Sequence, residues 1–242
     1  MPLHRRLRPS SAIALALPAF LAALALSTEA AAAPNVKRKG GQAELTFGGS
    51  LCIPGAADCS SSTTVVGKTG PSIGGGFMIG YRPIKQFLIG AAYNVGFFNP
   101  DYRLDSAADV DRYKLAYQHS LFVVLRGILP IWRLDLGVEV GPGWSRQVFQ
   151  VNDVDYDLPT IGVATVDKEY SQGFALKTAP VVDIYITKHV FLGVKLDLIW
   201  NFHGEICYRY NGGDQRFCTS EGDLGKASVH QMIIGAHIGG TF

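Results

Sequence analysis

Residues 131–144 read IWRLDLGVEVGPGW. Trp132, Leu134, Leu136, Val138, Val140, Pro142 and Trp144 take every second position. Arg133, Asp135, Gly137, Glu139, Gly141 and Gly143 fill the places between. Successive side chains of a strand point to opposite faces, so this stretch predicts a strand with one large apolar face and one face of charges and glycines. Which of the two faces meets water decides the fold.

The same alternation recurs in QFLIGAAYNVGF (86–97) and in VFLGVKLDLIWNFH (190–203), and more weakly elsewhere. Eight strands are predicted, over 41–49, 72–82, 86–97, 114–127, 132–145, 171–186, 190–203 and 227–242. Short turns at 83–85, 128–131 and 187–189 alternate with long loops at 50–71, 98–113, 146–170 and 204–226. This is an up-and-down antiparallel meander, and eight such strands can close into a barrel that leaves no free edge. The fold class predicted is all-β. Pro142 and Pro180 fall inside predicted strands, where a missing N–H should break a ladder bond. A bulge or a shifted strand limit is expected at Pro180, while Pro142 lies closer to the outer rim.

The small face decides the environment. It carries Gly74, Gly76, Gly80, Gly90, Ala92, Gly96, Gly137, Gly141, Gly173, Ala175, Gly193, Gly235 and Gly239. A face in water would be dense in lysine and glutamate, as it is on a lipocalin-like carrier. The interior of an eight-stranded barrel has room only for packed side chains, and small residues relieve that crowding. The small and charged face is therefore the lumen, and the large apolar face meets lipid. Strands of this length match the roughly 9–11 residues that a tilted membrane strand needs. Tyr81, Phe87, Trp132 and Phe242 near the turns, and Phe47, Phe97, Trp144, Trp200 and Phe202 near the loops, form the two expected interfacial girdles.

Residues 1–32 read as a secretory leader: basic His4, Arg5, Arg6 and Arg8, an apolar run from Ala12 to Leu26, and small residues Ala30–Ala33. A short N-terminal segment (33–40) then precedes the barrel (41–242). Without residues 1–32 the chain has 19 basic and 19 acidic residues, so a nucleic-acid partner has no electrostatic support.

Charges on the lumen face need partners, because an unpaired buried charge is costly. Positions counted from the turns pair Arg126 with Asp135, Glu139 with Lys177, and Asp183 with Lys195. Glu44, Arg133 and Asp197 extend the set. Both signs are present, which predicts a plugged interior. Four cysteines in an exported chain predict disulfides. Local pairing, Cys52–Cys59 and Cys207–Cys218, is expected, and the alternative ties the first loop to the fourth.

The chain ends MIIGAHIGGTF, with Phe242 in register with Ile238, Ala236 and Ile234. With the leader, the strand count and the loop asymmetry, this resembles the OmpA-like and OmpX-like eight-stranded outer-membrane barrel family of Gram-negative bacteria. The resemblance implies residence in the bacterial outer membrane and Phe242 as an assembly signal for the barrel-assembly machinery. It further implies contact with outer-membrane lipid and lipopolysaccharide, a monomeric state, and a non-enzymatic role in envelope integrity or in binding an extracellular ligand through the loops, with a lipid-modifying enzyme or a narrow pore as the alternatives. OmpA's periplasmic domain has no counterpart in this reading, so peptidoglycan binding does not carry over.

No catalytic set is legible, and no cofactor or metal is expected. Ser228 and His230 share a face without an acid. His203 and Glu205 share the outer rim without a nucleophile. Asp153, Asp155 and Asp157 alternate along the third loop, a pattern that suits either a solvated hairpin or calcium.

Overall fold

The computed structural model describes residues 36–53, 66–103, 113–158, 162–210, 212, 215–220 and 229–242. Residues 1–35, with the predicted leader, lie outside this set, as does Cys59. The strands are β1 (Gly40–Cys52), β2 (Val66–Gly70), β3 (Ser72–Ile84), β4 (Phe87–Arg103), β5 (Tyr113–Ile131), β6 (Leu134–Leu158), β7 (Gly162–Tyr185), β8 (Val190–Phe202), β9 (Glu205–Tyr210), β10 (Gln215–Ser220) and β11 (Gln231–Thr241).

Eight of these close a barrel. β1, β3, β4, β5, β6, β7, β8 and β11 pair antiparallel in chain order, and β11 returns to pair β1 from Gln42↔Thr241 to Cys52↔Gln231. Period two explains the outcome: Val138, Val194, Ile234 and Phe47 are more than half exposed, while Glu139, Lys195 and Gly235 on the alternate face point inward. The girdle residues Tyr81, Trp132, Phe202 and Phe242 are exposed outward as well.

The outer segments depart from the expected loops. Residues 146–158 and 162–170 continue β6 and β7 as a paired ribbon instead of a loop. β6 is 25 residues long, more than twice what a bilayer requires, so its outer half stands beyond the membrane. Part of the fourth loop is the hairpin β9–β10, and β9 pairs with the outer end of β7. Tyr113, Val151, Val166, Tyr208, Tyr210 and Phe217 pack together there, which is why this ribbon holds its shape outside lipid. The last strand starts at Gln231 rather than at 227.

The two prolines interrupt the ladder without bending it. Pro180 pairs across from Val138, and the β7–β8 pairing skips from Thr178↔Leu198 to Val181↔Lys195 with its register unchanged. The missing N–H thus leaves a gap in the ladder and not the bulge the sequence suggests. Pro142 lies beside a similar gap, between Phe122↔Gly143 and Leu125↔Val140.

Candidate functional site: the lumen and its outer mouth

The lumen is filled in layers. At the turn end Asp135 receives Arg82 Nη1 at 2.6 Å and Arg38 Nε at 2.8 Å. Arg38 precedes β1 and folds under the barrel, where its guanidinium also lies 5.5 Å from the centre of the Tyr185 ring.

The middle layer is ionic and centred on Arg126. Its Nη1 and Nη2 donate to the two oxygens of Glu44 at 2.5 and 2.6 Å, and its Nε donates to Glu139 Oε1 at 2.8 Å. Asp183 Oδ2 lies 3.3 Å from the same guanidinium. A two-pronged guanidinium–carboxylate contact fixes orientation as well as charge. Lys177 Nζ bridges Glu139 at 3.2 Å and Asp197 at 3.0 Å, and Asn94 Nδ2 donates to Asp197 at 2.9 Å. Lys195 Nζ lies 3.8 Å from Glu44. His237 Nε2 lies 2.6 Å from Asp183 Oδ1. Close approach matters here: a Cβ on Gly193 would collide with the His237 ring and with the Val182 carbonyl.

The structure therefore places Glu44, Arg126, Asp135, Glu139, Lys177, Asp183, Lys195 and Asp197 in the lumen, but with partly different partners. Arg126 takes Glu44 and Glu139 in place of Asp135, and Asp183 takes His237 and Arg126 in place of Lys195. Arg133 is a correction. It sits in the β5–β6 turn with its guanidinium 5.4 Å from the centre of the Trp132 ring, outside the network. The turn residue falls where the strand face has already ended, so period two no longer aims it inward. Arg38, Arg82 and His237 were missed. Arg82 and His237 share the lumen parity of their strands, and that signal was available.

The rest of the middle is apolar. Met78, Leu88, Ala92, Phe122, Val124, Ile128, Ala175, Ile199 and Ile233 form one buried cluster beside the charges. Glu44, Asp183 and His237 bring possible metal-ligand atoms within 4.8 Å of one another. Arg126 already occupies both oxygens of Glu44 and contacts Asp183, and Lys195 lies beside Glu44, so the trio does not suit a divalent cation.

The outer layer is neutral. Ser145 Oγ lies 2.8 Å from His203 Nε2, and Ser171 Oγ lies 2.9 Å from His203 Nδ1. Ser145 donates to Asn201 Oδ1 at 2.6 Å. Asn201 donates to Gln118 at 3.0 Å, and Gln147 donates to Gln118 at 2.7 Å and to the Val229 carbonyl at 2.6 Å. One tautomer satisfies every contact: Nε2–H donates to Ser145, which donates onward to Asn201, while Ser171 donates to Nδ1. Burial, with a smaller effect from His230, pushes the His203 pKa down to about 4, so the ring is neutral at physiological pH. Sequence reasoning found no hydroxyl beside His203, because Ser145 and Ser171 come from other strands.

Cys207 and Cys218 are disulfide-bonded across β9–β10, in agreement with local pairing. Cys52 is disulfide-bonded too. In the acidic ribbon, Asp155 accepts from Thr165 Oγ1 at 2.7 Å, and the side chains of Asp153 and Asp157 lie outside the described residues.

No protein-family model matches the chain, and no curated protein matches it. Solved structures do. A major outer membrane protein from Thermus thermophilus aligns with a TM-score of 0.54 at 9% identity, over 83% of this chain and 99% of that one. Neisserial surface protein A aligns with a TM-score of 0.47 at 12% identity, over 84% and 97%. The outer membrane protease OmpT from Escherichia coli aligns with a TM-score of 0.43 at 12% identity, over 85% and 98%. At these identities the likeness speaks to fold: the chain is a closed eight-stranded β-barrel of the outer-membrane type.

Proposed function

We propose that this protein resides in the bacterial outer membrane as a monomeric, non-conducting barrel that carries a rigid external sheet for surface interaction. The observation that supports this most is the filled lumen. Each of its three layers is closed by side chains that hold one another, and the central guanidinium alone contacts three carboxylates. An open aqueous path would need those contacts broken together. What remains available for work is the exterior: the extended β5–β6–β7 ribbon and the β9–β10 hairpin. On this reading the barrel anchors the sheet, lipopolysaccharide surrounds it, the barrel-assembly machinery inserts it with Phe242 as its signal, and an extracellular ligand is met by the outer edge. Planar-bilayer recording tests the closed lumen. Purified wild-type protein is expected to give no discrete channels, and reproducible unitary currents would defeat the proposal.

A second reading is favoured by one observation, the serines flanking His203. A nucleophilic serine must give its proton to the imidazole. Ser145 instead donates to Asn201, and both serines and the ring are buried. The arrangement therefore suits a hydrogen-bonded cap better than an acyl-transfer site. Lipid A mass profiles from cells carrying wild-type or Ser145→Ala protein separate the two. Identical profiles are expected, and a modified species lost only in the variant would establish the enzyme.

A further inference from the structure

Among the described residues the outer segments are balanced, with seven acidic and seven basic residues in 50–71, 98–114, 146–170 and 204–226. The turn end is not. Lys37, Arg38, Lys39, Lys85, Arg133 and Lys188 lie there, and the acidic side chains at that height, Asp135 and its cross-strand neighbour Asp183, are already taken, Asp135 by Arg38 and Arg82 and Asp183 by His237 and Arg126. Lys37, Lys39, Lys85 and Lys188 are exposed.

Two features make this more than a solvated rim. First, the backbone sets two lysines beside each other. The Lys37 N–H donates to the Lys188 carbonyl at 3.0 Å, and Thr241 Oγ1 donates to the Lys37 carbonyl at 2.9 Å. Lys37 and Lys188 are thus neighbouring exposed cations on one rim, and together they attract an anion placed there. Second, the cations alternate with exposed apolar side chains in the same turns. Ile84 and Phe87 flank Lys85, Trp132 lies under the Arg133 guanidinium, and Ile186 precedes Lys188 by two residues. The β5–β6 turn holds Trp132 in the left-handed region, with φ at 52°, and leaves its ring 60% exposed. A ring at the acyl boundary with a cation beside it matches a lipid headgroup on both counts.

We infer that the turn end of the barrel is a cationic collar that binds anionic phospholipid of the inner leaflet, with Lys37, Lys39, Lys85, Arg133 and Lys188 facing the headgroups. The inference rests on the membrane placement proposed above. The aromatic and aliphatic neighbours seat the collar at the leaflet boundary, and this distinguishes a lipid from an acidic polypeptide, which would need no such anchors. Clustered cations near an anionic leaflet attract it by an amount that falls with salt.

Trp132 supplies the probe. Full-length Trp144→Phe/Trp200→Phe protein is folded into vesicles containing brominated phosphatidylglycerol or brominated phosphatidylcholine, with folding checked by heat-modifiable gel migration. Failure to insert at all would count against the membrane placement; the lipid ratio of inserted protein tests the collar. Quenching of Trp132 is expected to give a relative association favouring phosphatidylglycerol by at least about threefold, diminishing with added salt. With Lys37→Gln, Lys39→Gln, Lys85→Gln, Arg133→Gln and Lys188→Gln combined, the preference is expected to fall to unity. If that variant does not fold, Lys37→Gln/Lys188→Gln is expected to lower the ratio, and an unchanged ratio overturns the inference. A wild-type ratio of one overturns it, as does a preference that survives neutralisation of all five cations. Poly-glutamate binding in micelles that needs these cations, alongside a lipid ratio of one, would reassign the collar to an acidic polypeptide.

Discussion

Lys177 is completely buried between Glu139 and Asp197. Removing its charge leaves two carboxylates buried and short of a partner. Lys177→Met is expected to lower the unfolding free energy in urea by about 3–5 kcal/mol. Lys177→Met/Glu139→Gln is expected to lose less than the single variant, because one orphaned charge goes with its partner; a larger loss would mean the pair does not act as a unit. His203 makes a prediction of the opposite electrical kind. In the folded chain it takes up a proton only near pH 4, against 6.5 ordinarily. The unfolded chain binds more protons between those values, so stability falls as the pH drops from about 6.5 to about 4, by up to about 3 kcal/mol. His203→Asn is expected to lose less stability than wild type between pH 7.5 and pH 4.5. Equal losses in urea titrations at the two pH values would show that the ring is not held neutral.

The hairpin β9–β10 is the element most dependent on a single bond. β10 is the edge of the outer sheet, and Cys207 and Cys218 face one another directly across the pair. β9 is held on its other side by β7, whereas β10 pairs with β9 alone and is otherwise tied by the disulfide and by Phe217 packing on the outer cluster. A two-stranded ribbon of six-residue strands is marginal in water unless covered or tied. Reduction is therefore expected to admit protease within 205–220 while the barrel keeps its heat-modifiable migration, as mass mapping of the fragments would read out. Loss of the folded gel form on reduction would instead mean that the hairpin supports the whole barrel. The ribbon of β6 and β7 has a different support, since Val151, Ala164 and Val166 bury against Tyr208 and Tyr210.

As a whole, the molecule inverts the usual soluble arrangement. Large side chains such as Ile73, Val138 and Val194 are more than half exposed, while Arg126, Glu139 and Lys177 are completely enclosed. Such a surface is tolerable only in lipid, because a contiguous apolar band of this extent in water leads to association. Nitroxide labels at positions 138 and 194 are expected to be accessible to oxygen in the bilayer and shielded from a water-soluble nickel relaxant. The reverse ranking would remove the membrane orientation. The cationic turn end belongs to this scale too, since no single strand displays it.

The strand count, the identity of the lumen face and the turns near 83–85 and 187–189 were legible in the sequence because period two is a local property, readable a few residues at a time; the turn expected at 128–131 is strand, and the chain reverses at 132–133. IWRLDLGVEVGPGW carries it without any knowledge of neighbours. The length of β6 and β7 was not legible, because beyond residue 145 the alternation no longer contrasts lipid with lumen and the ribbon is held by a partner hairpin. Nor were the charge partners. Arg126 and Glu44 are 82 residues apart, and Ser145 and His203 are 58 apart. Arg126 and Glu44 meet across the lumen, and Ser145 reaches His203 through the registers that β6 and β8 each keep with β7. Arg126 stands directly across from Glu139 in the β5–β6 hairpin, and a turn set at 128–131 instead of 132–133 shifts that register and pairs Arg126 with Asp135. Asp183 meets His237 and Arg126 from strands that are not its neighbours, which heights along adjacent strands do not reach. Period two told inside from outside; the strand registers and the closure of the barrel decided who touches whom.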